Sequence, residues 1–204
     1  MSSLYFKYAA MNSGKSTQLL QVHYNYIERG MNPVAMTAQL DNRFGEGKIT
    51  ARIGLDLPAL TFGKATNIFD CLQMMNEAKP VDALLIDEAQ FMSREQALQC
   101  AKIVDELDIP VMAYGLKTDF LGVLFPGSEA LLCLADNIEE IKTICWCGRK
   151  ATQNARINAD GTIARAGEQI VLGGNELYTS LCRKHFTSGE VKAAAGKEKI
   201  KSVA

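Results

Sequence analysis

Blocks of apolar and polar positions follow one another along the chain and predict alternating strands and helices. Residues 4–9, LYFKYA, are a short apolar run that predicts a strand. A helix is predicted over residues 15–29, because Leu20, Tyr24 and Ile27 recur at helical spacing on one face. NPVAMTA then predicts a second strand, so the chain opens with the strand, loop, helix, strand order typical of a parallel sheet.

The same alternation continues to about residue 135. Helices are predicted over residues 66–78 and 94–107, and PVMAYG, which begins at Pro110, predicts a strand. VDALLIDEAQF is a continuous apolar run with two carboxylates near its end, as expected for a central strand buried on both faces of a parallel sheet. These elements predict an α/β fold, a parallel sheet with helices on both faces.

Residues 39–55 interrupt this alternation. The segment is polar and contains Gly45, Gly47 and Gly54, and its FGEGK stretch is predicted to turn a hairpin. We expect the segment to form a projecting flap.

The sequence changes in character after about Glu140. Residues 142–186 are rich in Gly, Asn and Arg, and NADG and GGN divide them into short strand-like runs. We expect a first domain over residues 1–139, a small loop-rich domain over residues 140–187, and a tail over residues 188–204. The tail contains little but Lys, Ala and Gly and is predicted to be disordered, with a frayed basic helix as the alternative.

Length, charge and hydropathy restrict the functional classes. The 204 residues allow one ordinary domain with a small appendage, and the net charge of −1 argues against a broad nucleic-acid-binding surface. The N-terminus lacks a basic region followed by a long apolar core, and no apolar run reaches the roughly 20 residues that span a bilayer. We expect a cytoplasmic protein that binds neither nucleic acid nor a membrane, and whose six cysteines are reduced thiols.

The stretch YAAMNSGKST, residues 8–17, contains most of a phosphate-binding loop. Gly14, Lys15 and Ser16 match the end of the pattern G-x-x-x-x-G-K-[ST], while Ala9 stands at its first glycine. Backbone N–H groups of such a loop point at phosphate oxygens, Lys15 would reach the β and γ phosphates, and Ser16 would ligate Mg²⁺. The alternative is a turn followed by a helix cap. The loop makes the predicted fold class that of the P-loop NTPases. The predicted ATP-binding residues are Ala9, Ala10, Met11, Asn12, Ser13, Gly14, Lys15, Ser16, Asp87, Glu88, Ala89 and Gln90.

Asp87 and Glu88 stand where the predicted central strand ends, at the edge where ligands bind in open parallel sheets. Their side chains are expected to point in different directions, because successive residues of a strand alternate. Asp87 and Ser16 are the predicted Mg²⁺ ligands, and Glu88 is then placed to accept a proton from an incoming nucleophile. The alternative role of Glu88 is a helix-cap carboxylate.

Two close pairs of metal-ligating side chains lie near the end of the chain, Cys145 with Cys147 and Cys182 with His185. Cys-x-Cys is tighter than the usual spacing and a disulfide within it would be strained, but Cys-x-x-His is typical of a metal site. Three thiolates and one imidazole favour Zn²⁺ in a closed tetrahedral site, which leaves no position for a substrate and is therefore structural. The alternative is a set of incidental thiols and a surface histidine.

Taken together, these motifs resemble the type II thymidine kinases, in particular the bacterial members. The resemblance rests on the phosphate loop with Met11 in it, DNRFG, LLIDEAQF, YGLKTDF, the cysteine and histidine cluster, and GGNELY, which occur in the family's order. It extends to about Phe186. It implies that a phosphoryl group passes from ATP to the 5′-hydroxyl of thymidine or deoxyuridine, in nucleotide salvage for DNA synthesis, with Glu88 as the general base.

The resemblance also implies further features. A lasso loop of the small zinc domain would cover the nucleoside, Asp41 and Arg43 would lie near the phosphates, and the enzyme would be a homotetramer inhibited by its end product, dTTP. The implied nucleoside-binding residues are Met11, Phe91, Leu116, Phe120, Val171, Gly173 and Tyr178. Plain core packing is the alternative for the methionine and aromatic positions.

Two positions depart from the family pattern, and two other functions fit parts of the sequence. Asn154 stands where some members have a threonine that touches the base, and Ala9 replaces the first loop glycine. A P-loop ATPase in which Glu88 activates water, coupled to conformational work or to DNA, is the main alternative function. A zinc-ribbon binding module in which ATP acts only as a switch is the other.

Overall fold

The computed structural model describes residues 1–41, 45, 47–171 and 177–191. In chain order its strands are β1 (Leu4–Ala9), β2 (Pro33–Ala38), β3 (Lys48–Thr50), β4 (Asp56–Pro58), β5 (Leu60–Phe62), β6 (Ala83–Asp87), β7 (Val111–Leu116), β8 (Asn137–Glu140), β9 (Thr143–Ile144), β10 (Lys150–Ala151), β11 (Gln153–Arg156) and β12 (Tyr178–Leu181). Its helices are α1 (Lys15–Glu28), α2 (Ile68–Ala78), α3 (Arg94–Leu107), α4 (Pro126–Leu134) and α5 (Arg183–Ser188), and Ala89–Phe91 form a 3₁₀ turn.

Six parallel strands form the central sheet, in the order β5-β2-β6-β7-β1-β8. The carboxyl ends of parallel strands share one edge of a sheet, which is where open α/β sheets bind ligands. The ends of β1, β6 and β7 therefore bring the phosphate loop, Asp87 and Leu116 to the same edge. The predicted parallel sheet is confirmed.

Helices cover both faces of this sheet, also as predicted. On one face α1 and the β3–β4 hairpin pack over Leu85, and Leu19 of α1 is fully buried there. On the other face α2, α3 and α4 pack over Leu84 and Ile86. Because neighbouring residues of β6 point to opposite faces and all are buried, the apolar run at 83–86 is continuous rather than alternating.

The helix α3 has the bounds that the sequence predicts, and its first turn explains why. The Ser93 side chain accepts a hydrogen bond from the Gln96 N–H at 3.1 Å, and the Gln96 side chain accepts one from the Ser93 N–H at 3.0 Å. This capping box satisfies two N–H groups that the helix leaves without partners. None of the helices in the described part of the chain is long and apolar enough to cross a membrane.

The apolar face predicted for α1 is only partly buried. Leu20 is buried, but Tyr24 and Ile27 are 56% and 49% exposed. The three residues share one helical face, so their difference in burial means that the protein covers this face only along the first half of α1.

The turn predicted at FGEGK lies partly outside the described residues, and a hairpin follows it along the chain. The hairpin is formed by β3 and β4, and its turn lies between Ala51 and Leu55, where the Ala51 N–H donates to the Leu55 carbonyl at 2.8 Å. Gly54, with φ +87°, permits this turn. FGEGK leads into this hairpin, because its Lys48 is the first residue of β3, and its Phe44 and Glu46 lie outside the described residues. The hairpin is anchored by Ile49, which packs against the α1 face of the sheet, and residues 52–56 around its turn are exposed.

The chain after β8 forms two small antiparallel sheets, β9–β10 and β11–β12, with an apolar cluster of their own. Ala155 and Leu181 lie at the centre of this cluster, beside Cys145 and Cys182. Of the predicted tail, residues from 192 onward lie outside the described residues.

Candidate active site

The phosphate loop runs from the end of β1 into the first turn of α1. Gly14 precedes the helix with φ +83°, a left-handed conformation that favours glycine. A Cβ on Gly14 would meet none of the described atoms within 4 Å, so the backbone conformation, not crowding by the protein, requires glycine here. Within the described residues no side chain caps α1, and its first turn, KSTQ, carries no acidic residue. The N–H groups at the start of α1 therefore suit an anion such as phosphate.

Ser16 and Asp87 meet beneath this loop. The Ser16 hydroxyl donates to Asp87 Oδ2 at 2.8 Å, and the Glu88 N–H donates to Asp87 Oδ1 at 3.0 Å. Burial, and then the charge of Glu88, raise the pKa of the Asp87 carboxyl to about 7, while Ser16 and Lys15 act in the opposite direction. A divalent cation would favour the ionised carboxylate, and a hydroxyl and a carboxylate are ligands that Mg²⁺ accepts. The pair therefore fits the predicted Mg²⁺ site.

Glu88 follows β6 with an unusual backbone conformation. Its φ of 53° and ψ of 36° are left-handed, which is uncommon for a residue other than glycine, and it begins the 3₁₀ turn. The Gln90 amide donates to Glu88 Oε2 at 2.5 Å, and Gln90 Oε1 accepts from the Leu116 N–H at 2.9 Å. Gly115 leaves room for this contact, since a Cβ there would lie 2.9 Å from Gln90 Oε1. The buried Gln90 thus fixes the Glu88 carboxylate relative to the end of β7.

A polar pocket opens around the phosphate loop. Lys15, Lys48 and Arg52 supply positive charge to its wall, beside several hydroxyl groups. The wall is formed by residues 11–17 of the loop, residues 48–53 of the hairpin, Thr37, Asp41, Asp87, Glu88 and Leu116. This composition suits the phosphates of a nucleotide.

An apolar pocket lies beside it. Phe91 and Phe125 meet edge to face in its wall, with ring centroids 6.0 Å apart. The wall is formed by Met11, Glu88, Gln90, Phe91, Leu116, Thr118, Asp119, Phe120, Phe125, Asn154, Gln169, Ile170, Val171 and Tyr178. Apolar walls with a few polar groups are typical of a small-molecule site and suit a flat ring.

Among the described residues, three belong to both walls. Met11, Glu88 and Leu116 line the polar pocket and the apolar pocket alike. The carboxylate of Glu88 therefore lies where a ligand in one pocket would meet a ligand in the other.

Hydrogen bonds from the chain after β8 complete the apolar pocket. Gln169 Nε2 donates to Asp119 Oδ2 at 2.9 Å, and the Tyr178 hydroxyl donates to the Val171 carbonyl at 2.8 Å. The buried Asp119 also accepts two backbone N–H groups of the turn that follows it. The Gln169–Asp119 and Tyr178–Val171 hydrogen bonds therefore fix residues 169–171 against the rest of the wall.

Arg156 holds residues 166–168, which directly precede the wall residues 169–171. Its guanidinium lies 3.7 Å from the centre of the Phe120 ring and donates to the carbonyls of Ala166 and Glu168, both at 3.0 Å. A Cβ on Gly167 would lie 2.3 Å from Arg156 Nη2, and Gly167 has φ +126°. Glycine at 167 is therefore what lets the guanidinium reach both carbonyls.

Cys145, Cys147, Cys182 and His185 come together, as their spacing predicts. Their ligand atoms all lie within 4.8 Å of one another. His185 Nδ1 is 3.4 Å from the Cys145 sulfur and 3.5 Å from the Cys182 sulfur, and the Cys147 and Cys182 sulfurs are 4.0 Å apart. A tetrahedral site with Zn–S bonds of about 2.3 Å and Zn–N bonds of about 2.0 Å spaces its ligands by roughly 3.5–3.8 Å. The four side chains therefore fit Zn²⁺, and none of the six cysteines forms a disulfide.

The surroundings of the cluster also suit a metal ion. His185 directs Nδ1 at the sulfurs, and its other ring nitrogen, Nε2, lies 3.5 Å from Glu190 Oε2. A carboxylate in this position orients a metal-ligating histidine. The His185 N–H at the start of α5 lowers the pKa of the Cys182 thiol and so favours a thiolate. Trp146 stacks on the His185 ring, with centroids 4.2 Å apart.

Comparison with known proteins decides the family. A family model described as thymidine kinase matches residues 2–186. The chain belongs to the thymidine kinase family. The predicted resemblance to the type II thymidine kinases is confirmed.

Curated relatives carry the same description along nearly the whole chain. Thymidine kinase from Aliivibrio fischeri is 51% identical over 197 residues, which are 97% of this chain and 100% of the relative. Thymidine kinase from Salmonella typhimurium is 52% identical over 186 residues, 91% of each chain, and that from Shewanella oneidensis is 51% identical over 186 residues, 91% of this chain and 97% of the relative. Among solved structures, a Pif1 helicase from Candida albicans matches with a TM-score of 0.42 and 15% identity over 70% of this chain and 36% of its own, a likeness too low to bear on function.

The structure gathers most of the predicted site residues of this thymidine kinase family member. Met11, Phe91, Leu116, Phe120, Val171 and Tyr178, all predicted to contact the nucleoside, line the apolar pocket. The predicted phosphate-loop residues from Met11 to Ser16, with Asp87 and Glu88, line the polar pocket. Gly173 and Arg43 lie outside the described residues.

Four predicted ATP-binding residues are placed elsewhere. Ala9, Ala10 and Ala89 are buried in the interior, and they do not belong to the polar wall as the described residues define it. Gln90 lines the apolar pocket instead, because its amide is turned toward Glu88 and β7.

Several residues of the site were missed by sequence reasoning. Lys48 and Arg52 reach the polar pocket through the hairpin, and their charges within a polar flap were the available signal. Asp119 stood within the YGLKTDF motif, but its partner Gln169 is 50 residues away. Arg156 carried no signal, since its contacts depend on the fold.

Proposed function

We propose that this chain is a thymidine kinase that transfers the γ-phosphate of ATP to the 5′-hydroxyl of thymidine or deoxyuridine, giving the monophosphate in nucleotide salvage. One observation carries the proposal. Glu88 lies where the polar pocket, which suits phosphates, joins the apolar pocket, which suits a pyrimidine.

In this proposal Glu88 is the general base. As the 5′-oxygen forms its bond to the γ-phosphorus, the bond from that phosphorus to the β–γ bridging oxygen breaks, the hydroxyl proton passes to the Glu88 carboxylate, and ADP leaves. Gln90 keeps the carboxylate at the junction of the pockets. Positioning of this kind accounts for much of catalysis in phosphoryl transfer.

In this proposal the phosphate loop stabilises the negative charge of the phosphates during the transfer. Lys15 and the N–H groups at the start of α1 would neutralise the β and γ phosphates. Ser16 and Asp87 would hold Mg²⁺, which would add positive charge beside the phosphates of ATP. The oxygen donors of this pair, one hydroxyl and one buried carboxylate, are the support for Mg²⁺.

The nucleoside would occupy the apolar pocket. Phe91 and Phe120 offer ring surfaces, and the stretch held by Arg156, Gln169 and Tyr178 would act as the lasso that covers the base and excludes water. Excluding water until thymidine binds would prevent wasteful hydrolysis of ATP.

The proposal assigns structural Zn²⁺ to Cys145, Cys147, Cys182 and His185, since a closed site of four protein ligands leaves no position for substrate. It also divides the chain into a nucleotide-binding domain over residues 1–139, a zinc-binding lasso domain over residues 140–187 and a tail over residues 188–204. The separate apolar cluster after β8 supports this division. Elemental analysis should find about one zinc per chain, and a folded, active chain without zinc would contradict the assignment.

The partners in this proposal are ATP, thymidine, the inhibitor dTTP and other copies of the chain. A molecule of dTTP carries both a thymine and a triphosphate, so it could occupy both pockets at once. A homotetramer would cover exposed apolar residues such as Tyr24 and Ile27. The enzyme is proposed to be cytoplasmic, and its net charge of −1 supports an enzyme that does not bind nucleic acid.

Nucleotide turnover with and without thymidine tests the function. The proposal predicts that ADP forms at a high rate only when thymidine is present, and that dTMP forms in equal amount. A P-loop ATPase would instead release ADP without thymidine, and that result would contradict the proposal. Inhibition by dTTP that is competitive with thymidine is the expected result for the feedback site.

A further inference from the structure

The backbone of the phosphate loop is held by side chains of β11 and β12. Asn154 Oδ1 accepts a hydrogen bond from the Met11 N–H at 2.8 Å, and the Ser180 hydroxyl donates to the Met11 carbonyl at 2.5 Å. Asn154 and Ser180 are cross-strand partners on β11 and β12. One pair of neighbouring side chains therefore holds both polar groups of a single loop residue.

A third contact extends this arrangement to the next residue of the loop. The Thr143 hydroxyl donates to the Asn12 carbonyl at 3.0 Å. Asn12 has φ 62°, so the loop turns through a left-handed conformation at this point. Such a backbone conformation persists when surrounding contacts over-determine it.

Thr143 and Ser180, which hold the loop, have the same spacing in sequence from the metal ligands that follow them. Thr143 stands two residues before Cys145, and Ser180 stands two residues before Cys182. Each pair of metal ligands thus begins two residues after a side chain that holds the phosphate loop. Binding of a metal would fix both segments relative to each other, and with them the loop.

Ser180 holds the loop without lining either pocket, so its effect on ATP binding would not come from direct contact with a ligand. It is 7% exposed and, within the described residues, belongs to the wall of neither pocket. Asn154 does line the apolar pocket, but its amide already serves the protein, because its Nδ2 donates to the Thr118 carbonyl at 2.9 Å. The buried Ser180 hydroxyl is directed at the Met11 carbonyl, so it can affect ATP binding only by positioning the loop.

We propose that Ser180, Asn154 and Thr143 are positioning residues that fasten the phosphate loop to the metal-bound strands, so that the metal cluster sets the loop in its ATP-binding shape. The proposal rests on the proposed function insofar as the loop binds ATP. It predicts an energetic link between two sites that share no ligand.

Binding of a fluorescent ATP analogue to the zinc-loaded full-length chain tests the part of this link that runs through Ser180. For Ser180→Ala we expect about tenfold weaker binding, the effect of one buried hydrogen bond to a loop that must be pre-formed. Ser180→Thr, which keeps the hydroxyl, should restore much of the affinity. The matched control is Thr179→Ala, which removes a hydroxyl from the neighbouring position of the same strand and should bind like the wild type.

Two measurements report whether the cluster is intact. One is the zinc content of each variant, and the other is the emission of Trp146, the single tryptophan, which stacks on the ligand His185. We expect both to be unchanged in Ser180→Ala. Analogue binding within twofold of the wild type would overturn the proposal, and so would equal weakening in Thr179→Ala. Should Ser180→Ala fold poorly, Thr143→Val at a less buried position is expected to weaken binding about threefold, and wild-type affinity there would likewise overturn it.

This experiment does not depend on the acceptor of the phosphoryl group. If the wild-type chain binds the ATP analogue but does not phosphorylate thymidine, the proposed function fails while the link between Ser180 and ATP binding can still be measured. If the chain phosphorylates thymidine and Ser180→Ala has wild-type values of both kcat and the KM for ATP, the link fails and the function stands.

Discussion

The Gln90 amide donates a hydrogen bond to the Glu88 carboxylate at 2.5 Å, and its oxygen accepts one from the backbone of Leu116. Glu88 is thereby tied to the end of a neighbouring strand, although its own backbone lies in the left-handed region. The base of the proposed reaction is thus oriented by a side chain that contacts two strand ends and lies in the apolar wall.

Replacing Gln90 by alanine removes both of these hydrogen bonds. We expect kcat to fall about tenfold because the carboxylate loses its fixed position, while the KM for ATP changes little. Steady-state kinetics with each substrate varied in turn would separate the two parameters. Gln73→Ala, which truncates a half-buried glutamine on α2 that hydrogen-bonds Glu77 away from both pockets, is the control and should behave like the wild type. An unchanged kcat in Gln90→Ala would remove Gln90 from the mechanism.

Arg156 is expected to govern thymidine binding rather than ATP binding. Arg156→Lys keeps the charge but cannot stack on Phe120 and reach two carbonyls at once, so the KM for thymidine should rise about tenfold. Arg165 also lies over a ring, that of Phe186, and donates to its carbonyl. Arg165→Lys is therefore a matched control at a ring outside both pockets. Similar KM values for thymidine in the two variants would show that the stacking on Phe120 has no specific role.

Gly14 and Gly30 provide a matched pair for the phosphate loop. Both have positive φ, +83° and +74°, and a Cβ on either would meet none of the described atoms within 4 Å. Alanine at either position should therefore cost a similar amount of stability, about 1–2 kcal/mol. Only Gly14→Ala is expected to weaken ATP binding as well, which calorimetric titration would detect. Equal ATP affinities in the two variants would contradict the role of the loop.

The reactivity of the cysteines tests the metal cluster without any assay of activity. Cys133 is exposed and should react with iodoacetamide at pH 8, whereas Cys100 is fully buried and burial raises its pKa to about 12, so it should not react in the folded protein. Cys145, Cys147 and Cys182 should be protected while zinc is bound and become labelled after treatment with a chelator. Mass spectrometry identifies each labelled site. Labelling of these three thiols at the same rate with and without the chelator would contradict a metal site.

Local rules made much of the fold predictable. The start of α3 is set locally by the capping box of Ser93 and Gln96, and the apolar run before Asp87 predicted a strand buried on both faces. The phosphate loop and the two metal-ligating pairs could be found because their chemistry requires residues at short, fixed spacings.

What could not be predicted depends on contacts between distant parts of the chain. Tyr24 and Ile27 are exposed because the rest of the protein packs only against the first half of α1, and helical periodicity does not encode where this packing ends. The pairing of Arg156 with Phe120 and the Met11 backbone bonds to Asn154 and Ser180 join residues far apart in sequence. Polar contacts of this kind leave no periodic signal, and sequence reasoning missed them.

The most direct test of the central claim is the rate of thymidine-dependent ADP formation by Glu88→Gln. If Glu88 is the general base, kcat should fall by about 100-fold or more while ATP binding is kept, because the amide cannot accept the proton. Glu95→Gln, an exposed change in the first turn of α3, is the control and should leave kcat unchanged. Near-normal turnover by Glu88→Gln would contradict the account.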